Sequence, residues 1–384
     1  MMYLFRPNTL MKTCVWSFLL AGCTNGLFAQ ATTSTEFKPS GKVWGYAFGD
    51  MYLKSGGDTA IWASRAEYSG VPKEVYAFGF RRMYLGYDYT ISPKFSTTAL
   101  LEGGDGFLSQ KGDRTVTIKA LNVKWKGIYK GADLVVGHQS SLTFSYIAEK
   151  VWNYRSIEKT IVDQRGIRSS SDAGIALLGT FDSLANFGYN IMIGNGTGTR
   201  PEELTQAGKH KIYYGELYGY FFDRKLVVDL YGDFQTGLHD KNVYILKTCV
   251  AYQTEPFTVG VEAFTQKLLK SKSDGTDATP GGFSVFARGR IIKDKLHAFA
   301  RYDSYNPDNS YRDIDVITTY NAANMNKHYD ETFFVAGLDF TPHKNVHFMP
   351  NLWVNSYSPK GESALLVERE ADIVPRLTCY FIFR

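Results

Sequence analysis

Lys225–Gln235 reads KLVVDLYGDFQ. It places Leu226, Val228, Leu230 and Phe234 on one face of an extended chain and Asp229, Tyr231, Asp233 and Gln235 on the other. A period of two with one apolar and one polar face is the pattern of a strand between unlike environments. The pattern recurs. In Gly281–Ile292, Phe283, Val285, Ala287 and Ile291 oppose Ser284, Arg288 and Arg290; in Asn345–Tyr357, Val346, Phe348, Leu352 and Val354 oppose His347, Asn351 and Asn355.

Sixteen such segments lie between Lys42 and Phe383. Tight turns such as Pro93, Asp182-Ser-Leu184, Asp223-Arg224, Lys293-Asp294 and Pro342-His-Lys follow the even segments. Longer polar loops usually follow the odd ones. An even count of roughly ten-residue strands, with short turns at one end and long loops at the other, describes a transmembrane up-and-down antiparallel β-barrel. Closure leaves no open edge in lipid, and a barrel of this size keeps a water-filled lumen. Alternation alone also fits a soluble β-sandwich; the even count and the loop asymmetry favour the barrel. Aromatic content of 15%, with 26 Tyr and 26 Phe, suits strands.

The N-terminus reads as an export signal. Arg6 and Lys12 precede the apolar run Cys14–Ala21, and Leu27-Phe-Ala29 precedes Gln30, so residues 1–29 are expected to be a signal peptide. Leu20-Ala-Gly-Cys23 also has the form of a lipidation site, and both processing routes stay open. Residues 30–41 form a short lead, and 42–384 the barrel. The formal charge of +5 becomes +3 once Arg6 and Lys12 leave with the leader, too mild and dispersed for nucleic acid. Cys249 and Cys379 fall in separate strands with no metal or disulfide spacing, and both are expected to face lipid.

The longest stretch without strand character is Gln139–Ser171, between the fifth and sixth segments. Insertions of this length are commonly functional. Its Lys150, Arg155, Lys159, Arg165 and Arg168 stand against Glu149, Glu158 and Asp163, and we expect it to fold inward as a constriction loop. Arg288, Arg290 and Arg301 are expected to point into the lumen from segments twelve and thirteen, facing this loop across narrow water. Inward Arg82, Lys119 and Lys247 are roughly balanced by Asp88, Asp229, Asp233, Glu262, Asp303 and Asp339. Selectivity would then rest on Arg155, Lys159, Arg165, Arg168, Arg288, Arg290 and Arg301, with Arg82 and Lys119 contributing.

Gly137-His-Gln, Glu149-Lys-Val-Trp-Asn-Tyr-Arg155-Ser-Ile-Glu-Lys159-Thr, Gly166-Ile-Arg168, Asp172-Ala-Gly-Ile175 and Asn190–Gly196 resemble the third-loop region of the phosphate-selective porins O and P. The resemblance implies a sixteen-strand outer-membrane barrel of a Gram-negative bacterium, usually a homotrimer, passing small anions. By position it makes Arg155, Lys159 and Arg168 loop-borne basic groups near the constriction. A dense basic run along the approach to the pore is missing, and the chain ends Phe383-Arg384 rather than on an aromatic.

Passive diffusion of small hydrophilic solutes with a mild anion preference is therefore the first reading. A sugar channel lined by Tyr214, Tyr218, Tyr220 and Tyr231, or a surface adhesin, are the alternatives. Catalytic signals are weak: His138 with Ser140 is the only candidate pair, and no cofactor is implied. Asp274, Asp277 and the Asp308, Asp313, Asp315 group read either as solvated loops or as a calcium site, and no metal is assigned.

Overall fold

Alternating side chains commit each segment to one wall of a closed sheet. A computed structural model describes residues 37–59, 66–201, 209–315, 327–361, 366 and 368–384. The expected signal peptide and most of the lead lie outside the described residues. The strands are β1 (Ser40–Leu53), β2 (Tyr76–Thr90), β3 (Phe95–Leu108), β4 (Arg114–Tyr129), β5 (Ala132–Ser140), β6 (Ser171–Thr180), β7 (Phe187–Gly194) and β8 (Ile212–Phe221). They continue as β9 (Leu226–Gln235), β10 (Val243–Gln253), β11 (Phe257–Leu268), β12 (Gly281–Ile292), β13 (Leu296–Asn306), β14 (Tyr329–His343), β15 (Val346–Pro359) and β16 (Asp372–Phe383). Each pairs antiparallel with its sequence neighbours, and β1 pairs with β16 from Gly45↔Phe383 to Tyr52↔Arg376. The expected sixteen-stranded up-and-down barrel is the observed one.

The two faces separate as the alternation requires. In β9, Leu230 is exposed, whereas Asp229, Tyr231 and Asp233 are buried inside. Ile175, Ile191, Leu217, Leu230, Leu246, Val261 and Val285 belong to an outward apolar belt far larger than a water-soluble surface carries. Exposed aromatic rings bound it. At the short-turn end Phe95 lies 5.3 Å from Trp125 and Phe187 5.4 Å from Phe221; at the long-loop end Phe234 lies 4.8 Å from Tyr244. Aromatic girdles on an apolar band mark the two interfaces of a bilayer. Among the described residues no helix is long and apolar enough to cross a membrane, which is no constraint on a barrel. Cys379 keeps to the outer face, but Cys249 does not: it shares the inner face with Lys247 and Ala251 and is fully buried, correcting the lipid-facing expectation.

The segment between β5 and β6 folds into the barrel and contains two short helices, α1 (Ala148–Trp152) and α2 (Ile161–Gln164). Asn153 ends α1 in the left-handed region at φ 56°, its N–H donating to the Glu149 carbonyl at 2.8 Å, a common helix stop for Asn. The segment folds inward because its apolar residues need a wall. Leu142, Phe144, Ile157, Ile161 and Val162 are wholly buried, and an external loop would leave them in water.

Candidate functional site: the loop inside the barrel

The loop is sewn to the barrel at its base and along one flank. Ser141 donates from its amide to the Ser170 carbonyl at 3.0 Å and from its hydroxyl to that of Ser169 at 2.7 Å, joining the two ends. Trp152 packs between Phe286 and Phe299, at 5.5 and 6.4 Å, so the loop lies against β12 and β13. Three wall arginines take loop carbonyls. Arg81 donates to Ser156 at 2.7 Å, Arg376 to Ile157 at 2.6 Å, and Arg301 to Lys159. Trp353 Nε1 donates to the Glu158 carboxylate at 3.0 Å. A chain held at so many buried points has its rotamer and backbone freedom already spent, as a selective aperture requires.

This placement corrects the expectation for the arginine group on β12 and β13. Arg301 does not face the loop across water. It lies beneath the loop, 2% exposed, paired with Asp303 at 2.5 Å and stacked over Trp152 and Phe333. Arg290 pairs with Glu255 in the β10–β11 turn and so sits at the short-turn rim. Arg288 is partly exposed; its Nε donates to the Val151 carbonyl at 3.2 Å, and among the described residues no carboxylate pairs with it. Arg165 is also buried, paired with Glu331 and 3.1 Å from Asn355. Arg168 makes two bonds to Asp233, at 2.5 and 3.0 Å, and one to Gln235 at 2.6 Å.

A second set of charged groups meets toward β2–β4, partly exposed except for buried Tyr84 and Glu102. Arg155 reaches Asp163 at 2.9 Å, Glu149 at 3.2 Å and the Tyr84 hydroxyl at 3.4 Å. Tyr84 donates to Glu102 at 2.7 Å, and Glu102 also forms ion pairs with Arg82 at 3.2 Å and Lys119 at 2.8 Å. Lys119 reaches back to the Ser170 hydroxyl at 2.5 Å. Lys159 stands partly exposed nearby, and its ammonium makes no ion pair among the described residues. Arg82, Lys119, Arg155 and Lys159 thus meet Glu102, Glu149 and Asp163, with the positive sign in excess.

Arg81, Arg376 and Glu331 were not singled out in the sequence. Their signal is faint: a charge at an inward position looks the same whether it meets water or a loop carbonyl. His138 and Ser140 share a face of β5 and are not hydrogen-bonded to each other. Among the described residues no group of His, Cys, Asp or Glu is placed to hold a metal ion.

The barrel and its inward loop can be set beside known structures. The outer membrane channel DcaP of Acinetobacter baumannii superposes with a TM-score of 0.62 at 9% identity, over 92% of this chain and 100% of that one. This is the fold of the outer-membrane porins. OmpF of Salmonella typhi, in complex with daunomycin, matches the porin barrel with a TM-score of 0.55 at 11% identity, over 89% and 97% of the two chains. The trimer form of in-vitro folded OmpT, an outer membrane protein of Vibrio cholerae, matches at 0.53 and 10% identity, over 90% and 99%. No protein-family model and no curated protein matches the chain.

Proposed function

We propose that this porin barrel forms a water-filled channel in the outer membrane of a Gram-negative bacterium, passing small hydrophilic solutes by diffusion with a mild preference for anions. The observation that carries the reading is the loop held inside the barrel, with Arg155 and Lys159 on its partly exposed flank. Fixed charge at a narrow place acts over about a Debye length, on the order of 8 Å in physiological salt, and low-dielectric walls focus it. Because Glu102, Glu149 and Asp163 offset most of the local positive charge, the preference is mild. Kinship with the phosphate-selective porins is proposed on the Gly137–Gly196 motifs alone. The neutralised Arg155 and Arg168 favour small anions in general over phosphate in particular. A homotrimer is part of the proposal, motivated by the trimer form among the similar structures.

Planar-bilayer recording in a salt gradient tests the proposal. Stepwise conductance is expected, with a zero-current potential on the anion side that moves toward cations in Lys159→Glu. Absence of conductance steps sinks the channel; a potential unmoved by Lys159→Glu sinks the role given to that residue.

A further inference from the structure

A water-facing hollow lies at the short-turn end of the barrel, between the loop and β6–β8. It encloses about 340 Å³ and is lined by Tyr146, Tyr218, Tyr220, Lys150, Asn190 and Asp133 among others. We infer that this hollow binds a solute with a flat apolar face and a hydroxylated rim, a pyranose sugar, deepening the channel reading on which it rests.

The aromatic floor is the first reason. Tyr218 stands opposite Gly188 in the β7–β8 register, and a Cβ at Gly188 would run into the Tyr218 ring. Glycine therefore lets that ring lie flat along the wall with its other face turned inward. Tyr220 meets Tyr218 edge-to-face at 6.0 Å, and Arg224 covers Tyr220 at 4.0 Å, fixing the second ring. The third, Tyr146, comes from the loop and has Lys150 over it at 5.5 Å. Rings held this way offer area without losing rotamer freedom on binding.

The polar rim is the second. Asn190 is held by its bond to Glu216 at 2.5 Å, and Asp133 by the Gly127 amide at 2.9 Å. Both keep acceptor capacity, and Lys150 supplies a donor that pairs with no carboxylate among the described residues. Polar and apolar lining are about equal here, which suits a solute that is itself part apolar face and part hydroxyl; a few fixed polar groups set orientation in a small-molecule site. The sugar path expected from the sequence is thereby shortened. Tyr214 and Tyr231 lie outside this hollow and their hydroxyls are committed, Tyr214 to Asp172 at 2.9 Å and Tyr231 to Asp233 at 2.6 Å.

Saturation-transfer NMR on the detergent-solubilised full chain tests the site without requiring current. Ring protons of glucose should receive saturation, while sorbitol, an open chain with the same kind of hydroxyls, should not. Tyr218→Leu should weaken apparent glucose affinity about tenfold, and Tyr218→Phe, which keeps the ring, much less. Equal transfer to glucose and sorbitol, or a glucose signal indifferent to Tyr218→Leu, overturns the site. If Tyr218→Leu fails to fold, Tyr220→Leu serves on the same criterion. Glucose binding without bilayer conductance refutes the channel and leaves the site; conductance without glucose binding does the reverse.

Discussion

Arg301 touches five different partners, the Phe333 ring among them. It pairs with Asp303, takes the Lys159 carbonyl, reaches Gln164 Oε1 at 3.1 Å and stacks on Trp152. Removing one member of such a buried pair leaves Asp303 charged with nothing to balance it, a loss of roughly 3–5 kcal/mol. Arg301→Ala should therefore lower the temperature at which the barrel band converts to the unfolded band on a gel. It should also raise and destabilise single-channel current, because the Lys159–Gln164 part of the loop loses its anchor. A current trace identical to wild type would show that the remaining tethers, Arg81, Arg376, Trp353 and Arg165, hold the loop without Arg301. Inwardness of Arg301 was legible in the sequence from alternation on β13. What covers it was not, since the partners lie about 140 residues away and depend on the path of the loop.

Among elements, the outer loops are tied by charge. Lys272, after β11, pairs with Asp308 at 2.7 Å and Asp315 at 2.8 Å, both after β13. Arg312 joins Asp315 and Asp274 at 2.7 Å each. Burial works to raise the Asp308 and Asp315 carboxyls, but Lys272 and neighbouring donors win and hold both below the usual carboxylate range. The Thr276 hydroxyl and Arg312 lower Asp274 as well. Depressed carboxyl values mean that the clasp is fully present above the ordinary carboxylate range and is lost as pH falls through the lowered values. Amide exchange in 270–280 and 307–315 should hence accelerate at acid pH, and Asp315→Asn should bring that acceleration to neutral pH. Exchange that does not depend on pH, beyond its intrinsic chemistry, would exclude the clasp. The acidic residues themselves stood out in the sequence; their basic partners, one loop away, did not. The inward loop was more legible than its helices. Phe144, Ala148 and Val151 have the spacing of one helical face, yet α1 is too short for periodicity to announce it.

For the molecule as a whole, the lipid-facing belt makes the sharpest demand. Leu230 lies near the middle of β9 and is 56% exposed on the outer face. Leu230→Arg puts a cation into hydrocarbon, which costs about 2–4 kcal/mol at the midplane. Folding titrations into phospholipid vesicles should show that loss, and Asp233→Asn, on the inner face, should not impose a membrane cost of this kind. An equal loss in a detergent that presents no bilayer would assign the effect to strand packing instead. Architecture was legible to the strand because the outer, lipid-facing half of the alternation repeats from β1 to β16, even though inward Phe286, Phe299, Phe333 and Trp353 break the polar half where the loop packs. The site was legible only in part. Which cations have no carboxylate partner among the described residues, Lys159 and Arg288 rather than Arg165 and Arg301, is settled by contacts that no local pattern encodes.

Closure has a mechanical corollary. Every strand except at the β1–β16 seam is bonded only to its neighbours in sequence, so the barrel is a single ribbon fastened once. Pulled by one end from a supported bilayer, it should resist until that fastening parts, then peel one hairpin at a time. The extension trace would be a regular sawtooth, interrupted where the Arg81, Arg301 and Arg376 tethers to the loop give way.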